Sequence, residues 1–158
     1  MTKEIKPIKR SRQLTPLSKD HHEGLLLVWK IRQGLRNQTE KQLIADYIKW
    51  FWKKDLEEHF REEEEILAPY LKGNDMIKRM FDEHAVIQSL INSNDLSDEK
   101  QLNRLADLVN DHIRFEEREL FPLAEKLIPE EDLDKIESQL KKEPKQMEPW
   151  GNQFWLNK

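Results

Sequence analysis

Two stretches of this chain repeat each other, and the repeat limits the choice of fold more than any other feature of the sequence. His59-Phe-Arg-Glu-Glu63-Glu64-Glu-Ile-Leu67-Ala-Pro69 matches His112-Ile-Arg-Phe-Glu116-Glu117-Arg-Glu-Leu120-Phe-Pro122. The histidine, the arginine two places on, both glutamates, the leucine and the proline coincide. In each copy the histidine and the first of the paired glutamates are four apart, which makes them neighbours on one face of a helix. Each copy also continues an apolar stripe at helical spacing. The first runs Ile48, Trp52, Leu56, His59, Glu63, Ile66, Tyr70, and the second Leu102, Leu105, Val109, His112, Glu116, Leu120, Leu123. Two helices of one bundle carrying this motif would aim both His–Glu pairs at a single interior point.

The rest of the chain supplies partners for those two helices. Thr15 before Pro16 reads as an N-cap followed by a first-turn proline. Leu17, Leu25, Val28, Ile31 and Leu35 then form a stripe that lasts to Asn37. Thr39 with Gln42 resembles a capping box opening the second helix, which Gly73-Asn74 stops. Asp75 can cap a third helix with Ile77, Met80, Phe81, Ile87 and Ile91 inward, ended by the stretch from Asn92 to Asp95. Ser97 can cap the fourth. Strand-like alternation is absent. The expectation is an all-α chain, an antiparallel up-down four-helix bundle over residues 14–128. A flexible leader, 1–13, precedes it. A short C-terminal helix after Pro129, through Leu140, and a tail from Pro144 with Trp150, Phe154 and Trp155 follow it. Such aromatics in a polar tail are expected to dock, onto the bundle itself or onto a partner protein.

Composition decides the chemistry by what it leaves out. With no cysteine in 158 residues, disulfides, thiolate zinc sites and iron–sulfur clusters are all excluded. A metal would have to be held by imidazole and carboxylate. The five histidines, His21, His22, His59, His84 and His112, put at least one on each helix. Two carboxylates and several imidazoles inside an apolar bundle are costly unless neutralised or coordinated. A pair of metal ions would neutralise them, each taking imidazole nitrogen while carboxylates bridge, and this donor set without sulfur suits iron, with manganese and zinc as alternatives. The mild net charge of −4, with both signs interspersed, gives no reason to expect nucleic acid or an anionic membrane as partner. No apolar run reaches the roughly 18 residues of a membrane span. The basic N-terminus is not followed by an apolar stretch, so a cytoplasmic location is expected.

At these residues the sequence resembles the hemerythrin-like, HHE cation-binding family. The two repeated stretches carry the resemblance, with Asp20-His21-His22 and Glu83-His84 matching the family's first- and third-helix signatures. The resemblance implies a carboxylate-bridged di-iron centre, ferrous or ferric, with oxo or hydroxo bridging. It makes His59 and His112 terminal ligands, Glu63 and Glu116 bridges, and His84 and one of His21 and His22 the remaining imidazoles. His21 continues the stripe of Leu14, Leu17, Val28 and Leu35 and is the better placed. His22 shares a face with Leu25, Leu26 and Trp29.

One departure bears on function. Oxygen-carrying members place a second histidine four after the third-helix histidine, and here that position is Gln88. Gln88 itself, Glu62 or Glu117 could fill the gap. The resemblance therefore points away from oxygen carriage and toward binding or sensing of oxygen, nitric oxide or iron. A di-iron redox enzyme acting on O2, peroxide or NO is the first alternative, and a metal-stabilised interaction module using the aromatic tail is the second.

Overall fold

The computed structural model of the chain describes residues 9–140 and 150–156. Among these, every regular element is helical. They are α1 (Thr15–Arg36), α2 (Lys41–Phe51), α3 (Glu57–Glu62), α4 (Asp75–Ile91), α5 (Glu99–Phe115), α6 (Phe121–Leu127) and α7 (Glu130–Gln139). Three wide π turns, Trp52–Leu56, Glu63–Leu67 and Glu116–Leu120, and a 3-10 turn, Ala68–Leu71, join some of these end to end. The result is four rods: residues 15–36, 41–71, 75–91 and 99–127, with α7 as the short C-terminal helix.

The directions of the rods follow from their cores. One apolar cluster joins late residues of rods one and three (Leu27, Ile31, Ile87, Ile91) to early residues of rods two and four (Ile44, Ile48, Leu102, Leu105). A second joins early residues of rods one and three (Leu17, Ile77, Met80), and Leu14 just before rod one, to late residues of the other two (Leu67, Leu71, Leu120, Ala124) and to α7 through Leu133 and Ile136. Successive rods are therefore antiparallel, as expected. Each rod crosses from one cluster to the other, and the four crossings carry His21, His59 with Glu63, His84, and His112 with Glu116. All six are buried. A polar layer thus lies between two apolar cores.

The helix starts fall one residue from where the sequence places them. Thr15 is the first residue of α1 rather than its cap, and its hydroxyl donates to the Ser11 carbonyl at 2.8 Å. The α2 capping box does not form: Glu40 takes the cap position, and Gln42 donates instead to Asp46 at 2.8 Å. Asn74, not Asp75, caps α4, its side-chain oxygen accepting from the Met76 N–H at 2.9 Å. Asp98, not Ser97, occupies the cap of α5. Asn74 (ψ 135°) and Asp98 (ψ 132°) have the extended backbone typical of a cap. Gly73 precedes Asn74 at φ +87°, a turn conformation that glycine adopts without strain.

The larger departure concerns helical phase. Pro69 and Pro122 lack the N–H an α-helix would need there, and their rings crowd the carbonyls four residues back. The backbone answers with π turns, in which the Ala68 N–H donates to the Glu63 carbonyl and the Phe121 N–H to that of Glu116. Each π turn inserts a residue and rotates the segment beyond it about the rod axis. Leu67 and Leu71 are consequently buried, while Ile66 is only half-buried and Tyr70 is exposed. In the fourth rod, Ala124 is buried and Leu123 half-buried. Leu25 and Phe81, expected inward, are also exposed, because the inward faces belong to Leu27 and Val28 on α1 and to Met80 and His84 on α4.

Both ends of the chain are tied to the bundle where described. Phe154 is buried against α1 and α2. It fits because Gly34 has no side chain: a Cβ there would stand 2.7 Å from the Phe154 ring. Tyr47 meets the rings of Trp150, Phe154 and Trp155 at 5.6, 5.5 and 5.3 Å, and Lys30 lies 4.1 Å over Trp155. Of the two docking expectations for the tail, residues 150–156 follow packing onto the chain's own bundle; residues 144–149 lie outside the described residues. At the other end, residues 9–13, expected to finish a flexible leader, strap across α6 and α7. Gln13 is buried and donates to Glu130 at 2.7 Å; residues 1–8 lie outside the described residues. Among the described residues no helix is long and apolar enough to cross a membrane.

Candidate metal centre

In the polar layer, six of the seven residues singled out from the sequence converge. Their donor atoms fall into two sets, His21, His59, Glu63 and Glu116, and His84, His112, Glu63 and Glu116. Within each set the atoms lie within 4.8 Å of one another, and all the residues are buried. Both sets share the two glutamates, which are fully buried. His22, the seventh, is exposed on the outer face of α1. One step of an α-helix turns the side chain through about 100°, so His21 and His22 cannot both face in.

The three residues considered for the gap at Gln88 stand elsewhere. Gln88 is exposed, and the inward position on that turn is Ile87. Glu62 is buried but outside both donor sets. Glu117 lies behind an imidazole, with its Oε2 accepting from His21 Nδ1 at 2.7 Å.

That last contact belongs to a pattern that helical periodicity alone does not reveal. Each inward imidazole turns its Nδ1–H outward to a carboxylate: His21 to Glu117 (2.7 Å), His59 to Asp20 (3.0 Å), His84 to Glu64 (2.7 Å) and His112 to Glu83 (2.7 Å). The four links close a circuit around the bundle. Rod one gives Asp20 to rod two, rod two gives Glu64 to rod three, rod three gives Glu83 to rod four, and rod four gives Glu117 back to rod one. The sequence does carry a signal for it: Asp20 and Glu83 immediately precede inward histidines, and Glu64 and Glu117 are the second members of the repeated glutamate pairs. Such outer carboxylates fix an imidazole's tautomer, here leaving Nε2 as the inward atom, and raise its basicity.

The inward atoms show whether a cation fits. His59 Nε2, both Glu63 oxygens and Glu116 Oε2 are buried and make no well-aligned hydrogen bond among the described residues, although imidazole nitrogens stand 3.0 to 3.9 Å from those oxygens. His84 Nε2 and His112 Nε2 face each other at 3.1 Å. One ring can donate to the other there only when it is protonated; with both Nε2 atoms bare, the two lone pairs repel unless a cation lies between them. Buried polar atoms are ordinarily paired, so a layer of poorly paired nitrogen and carboxylate oxygen suits cations lying between them. Nitrogen and oxygen donors without sulfur fit iron, manganese or zinc.

Without a cation the same layer must balance its charge with protons. Burial alone would lower the imidazoles, but the neighbouring carboxylates outweigh it. His59 is held at about 10 by Glu63 and Asp20, and His112 at about 9 by Glu116 and Glu83. His21 and His84 are raised in the same way. Burial would raise Glu63, yet His59, His21 and His84 hold it well below the usual carboxylate range.

These shifts set the sign of the pH dependence. A histidine raised from 6.5 in the unfolded chain stabilises the fold fully below that value and ceases to as pH climbs through about 9 to 10. The lowered Glu63 stabilises above its unfolded value of 4.5 and ceases to as pH falls through its folded value. The metal-free protein is therefore expected to melt highest at mildly acidic pH and progressively lower from pH 7 to 10. Metal binding displaces these protons and so strengthens over the same range. Thermal melting of chelator-treated protein across pH 5 to 10 measures the first effect. A flat profile above pH 7 would mean that the imidazoles do not carry the charge balance.

A family model described as Hemerythrin HHE cation binding domain matches residues 13–124, which include all four rods' contributions to the layer. No curated protein and no solved structure gave a match.

Proposed function

The chain belongs to the hemerythrin HHE cation-binding family, and from that premise we propose that it is a non-haem di-iron protein that binds or senses oxygen, nitric oxide or the iron supply, with the cytoplasm as its place. The observation that carries the reading is the pair of buried donor sets sharing Glu63 and Glu116. Two carboxylates common to both sets would hold two cations side by side, and two imidazoles would terminate each. Iron, once bound, supplies redox electrons and open coordination positions for a small ligand.

The chain's own residues set what reaches that centre. A cavity of about 10 Å³ lies beside His21, His59 and His112, walled by Gly24, Leu56, Ile87, Val109 and Ile113. That is about the room one water needs, which favours a ligand of one or two heavy atoms. Gly24 brings two rods into close approach, since a Cβ there would meet Ile113 at 2.8 Å. The apolar walls keep bulk water out while the outer carboxylates hold each Nδ1 proton in place.

A second reading is a redox enzyme acting on oxygen, peroxide or nitric oxide, which the small cavity also suits. Anaerobic, Fe(II)-loaded protein mixed with nitric oxide or oxygen, with and without excess reductant, separates the two. The binding or sensing reading expects uptake to stop near one ligand per two-metal centre whether or not reductant is present. Repeated consumption with reductant would make it an enzyme. No uptake of either gas would leave only the response to iron.

A further inference from the structure

The residues on which the family match rests begin at Gln13, yet the structure brings one earlier residue to the edge of the metal layer. Arg10 has its side chain 8% exposed. Its Nη1 donates to Glu125 Oε1 at 2.8 Å, and its Nη2 donates to the Glu117 main-chain carbonyl at 2.7 Å, with Glu117 Oε1 at 3.4 Å. The guanidinium also lies 5.3 Å over the ring of Phe121.

Two of the groups that Arg10 touches are the ones that fix His21. Glu117 accepts the His21 Nδ1–H, and Phe121 stacks on the imidazole, ring centroids 5.1 Å apart and planes 6° from parallel. The carbonyl contact has its own cause. The π turn commits the Phe121 N–H to Glu116, and Pro122 has no N–H to give. The Glu117 carbonyl is thus left without a helical donor, and Arg10 supplies one. Ser11 reinforces the arrangement, its N–H donating to the second oxygen of Glu125.

The other half of the layer has an arginine of its own, but an exposed one: Arg79 on α4 donates to Glu83, the acceptor of His112 Nδ1, at 2.8 Å and lies 3.9 Å over the Phe115 ring. Glu64, the counterpart of Glu117 in the first repeat, accepts from His84 Nδ1 at 2.7 Å, and among the described residues no arginine reaches it. Each donor set thus has one arginine behind an outer carboxylate, the buried Arg10 at Glu117 and the exposed Arg79 at Glu83.

We propose that Arg10 is a positioning residue of the metal centre, which from the N-terminal strap orders the His21–His59 half of the layer through Glu117 and Phe121 and leaves the His84–His112 half largely independent of it. The inference rests on the two-metal reading above. It makes occupancy of one half depend on the strap being docked, so that anything lifting residues 9–13 from α6 would loosen one metal and not the other.

The test is a Co(II) titration of the full metal-free chain, followed by the visible absorption of the bound ion and by equilibrium dialysis, with apo melting recorded alongside. Wild type is expected to hold two equivalents. Arg10→Gln is expected to keep one at wild-type affinity and to weaken the other about ten-fold or more, the usual scale for an outer-shell loss. Its cobalt spectrum should change for that equivalent only. Arg10→Lys should recover part of the affinity, because it restores charge but not the forked reach to carbonyl and carboxylate. It also carries the contrast should the glutamine variant not fold. Arg12→Gln, which loosens exposed contacts of the same strap to Asp134 and Glu137, should leave both equivalents unchanged.

Two unaltered equivalents in the Arg10 variants, even with a lower apo melting temperature, would make Arg10 merely structural and overturn the proposal. Equal weakening of both equivalents would overturn it too. A wild type that holds no cobalt would overturn the two-metal reading itself, an outcome visible before any variant is made.

Discussion

Anaerobic loading with Fe(II) is expected to raise the melting temperature of the metal-free protein by roughly 10 °C or more. An ion that binds the folded state alone at about 100 times its dissociation constant contributes about 2.7 kcal/mol. Two ions then give roughly 5 kcal/mol. For a domain of this size each kcal/mol moves the midpoint by about 2–4 °C. The structural reason is the polar layer between the two cores. Metal-free, it holds two fully buried carboxylates against four imidazoles, with His59 Nε2 and both Glu63 oxygens making no well-aligned hydrogen bond. An ion in each donor set satisfies those atoms and ties four rods together at their crossing. Calorimetry with and without Fe(II), reversed by a chelator, gives the number. A midpoint that moves by less than about 2 °C at saturating metal would remove the premise that this layer is a metal centre, and the function would have to be sought on the surface.

The second large effect distinguishes a shared centre from two separate ones. Glu63→Gln is expected to abolish tight binding of both ions, while His59→Ala removes only one. Glu63 lies 3.3 Å from His59 Nε2, 3.7 Å from His21 Nε2 and 3.0 Å from His84 Nε2, and so faces histidines of both donor sets. A neutral amide of nearly the same shape keeps the packing but cannot bridge two cations. Glu116→Gln should behave alike, since Glu116 stands 2.7 Å from His21 Nε2 and 3.3 Å from His112 Nε2. His59 belongs to one set alone. The metal-free glutamine variants should still be helical, because the layer loses a charge rather than a volume, although the imidazoles beside it then have less reason to hold protons. Removing one partner of a buried ionic group commonly costs about 3–5 kcal/mol, so their melting temperatures are expected to fall even before metal is added. Metal equivalents by equilibrium dialysis decide the matter. Two ions retained by Glu63→Gln would show that the carboxylates do not bridge.

Much of this architecture arises from local chemistry and was legible in the chain. The His-xxx-Glu spacing on an apolar stripe makes sense only on a helix, and two copies of it on helices of one bundle must meet inside. The absence of cysteine narrowed any metal to imidazole and carboxylate donors. Periodicity placed His59, Glu63, His84, His112 and Glu116 inward, because a helix has one apolar face and these lie on it. The choice between His21 and His22 leaned on the same stripe, and the structure buries the former and exposes the latter.

What only the tertiary structure decided has two physical sources. The first is backbone phase. A 3.6-residue period carried past Glu63 selects Ile66 and Tyr70, but Pro69 denies the helix a donor and the π turn that results brings in Leu67 and Leu71 instead. The second is that neighbours in sequence diverge in space. Asp20 adjoins His21 yet serves His59, and Glu83 adjoins His84 yet serves His112, because successive side chains on a helix point about 100° apart. Each outer carboxylate therefore reaches the next rod, and no local pattern can say which rod that is. Arg10 is the extreme case: by sequence a basic residue in a loose leader, by structure the donor to a carbonyl that Pro122 leaves unserved. The chain alone settles which side chains must be hidden together. How they are held there depends on which rods the fold sets side by side.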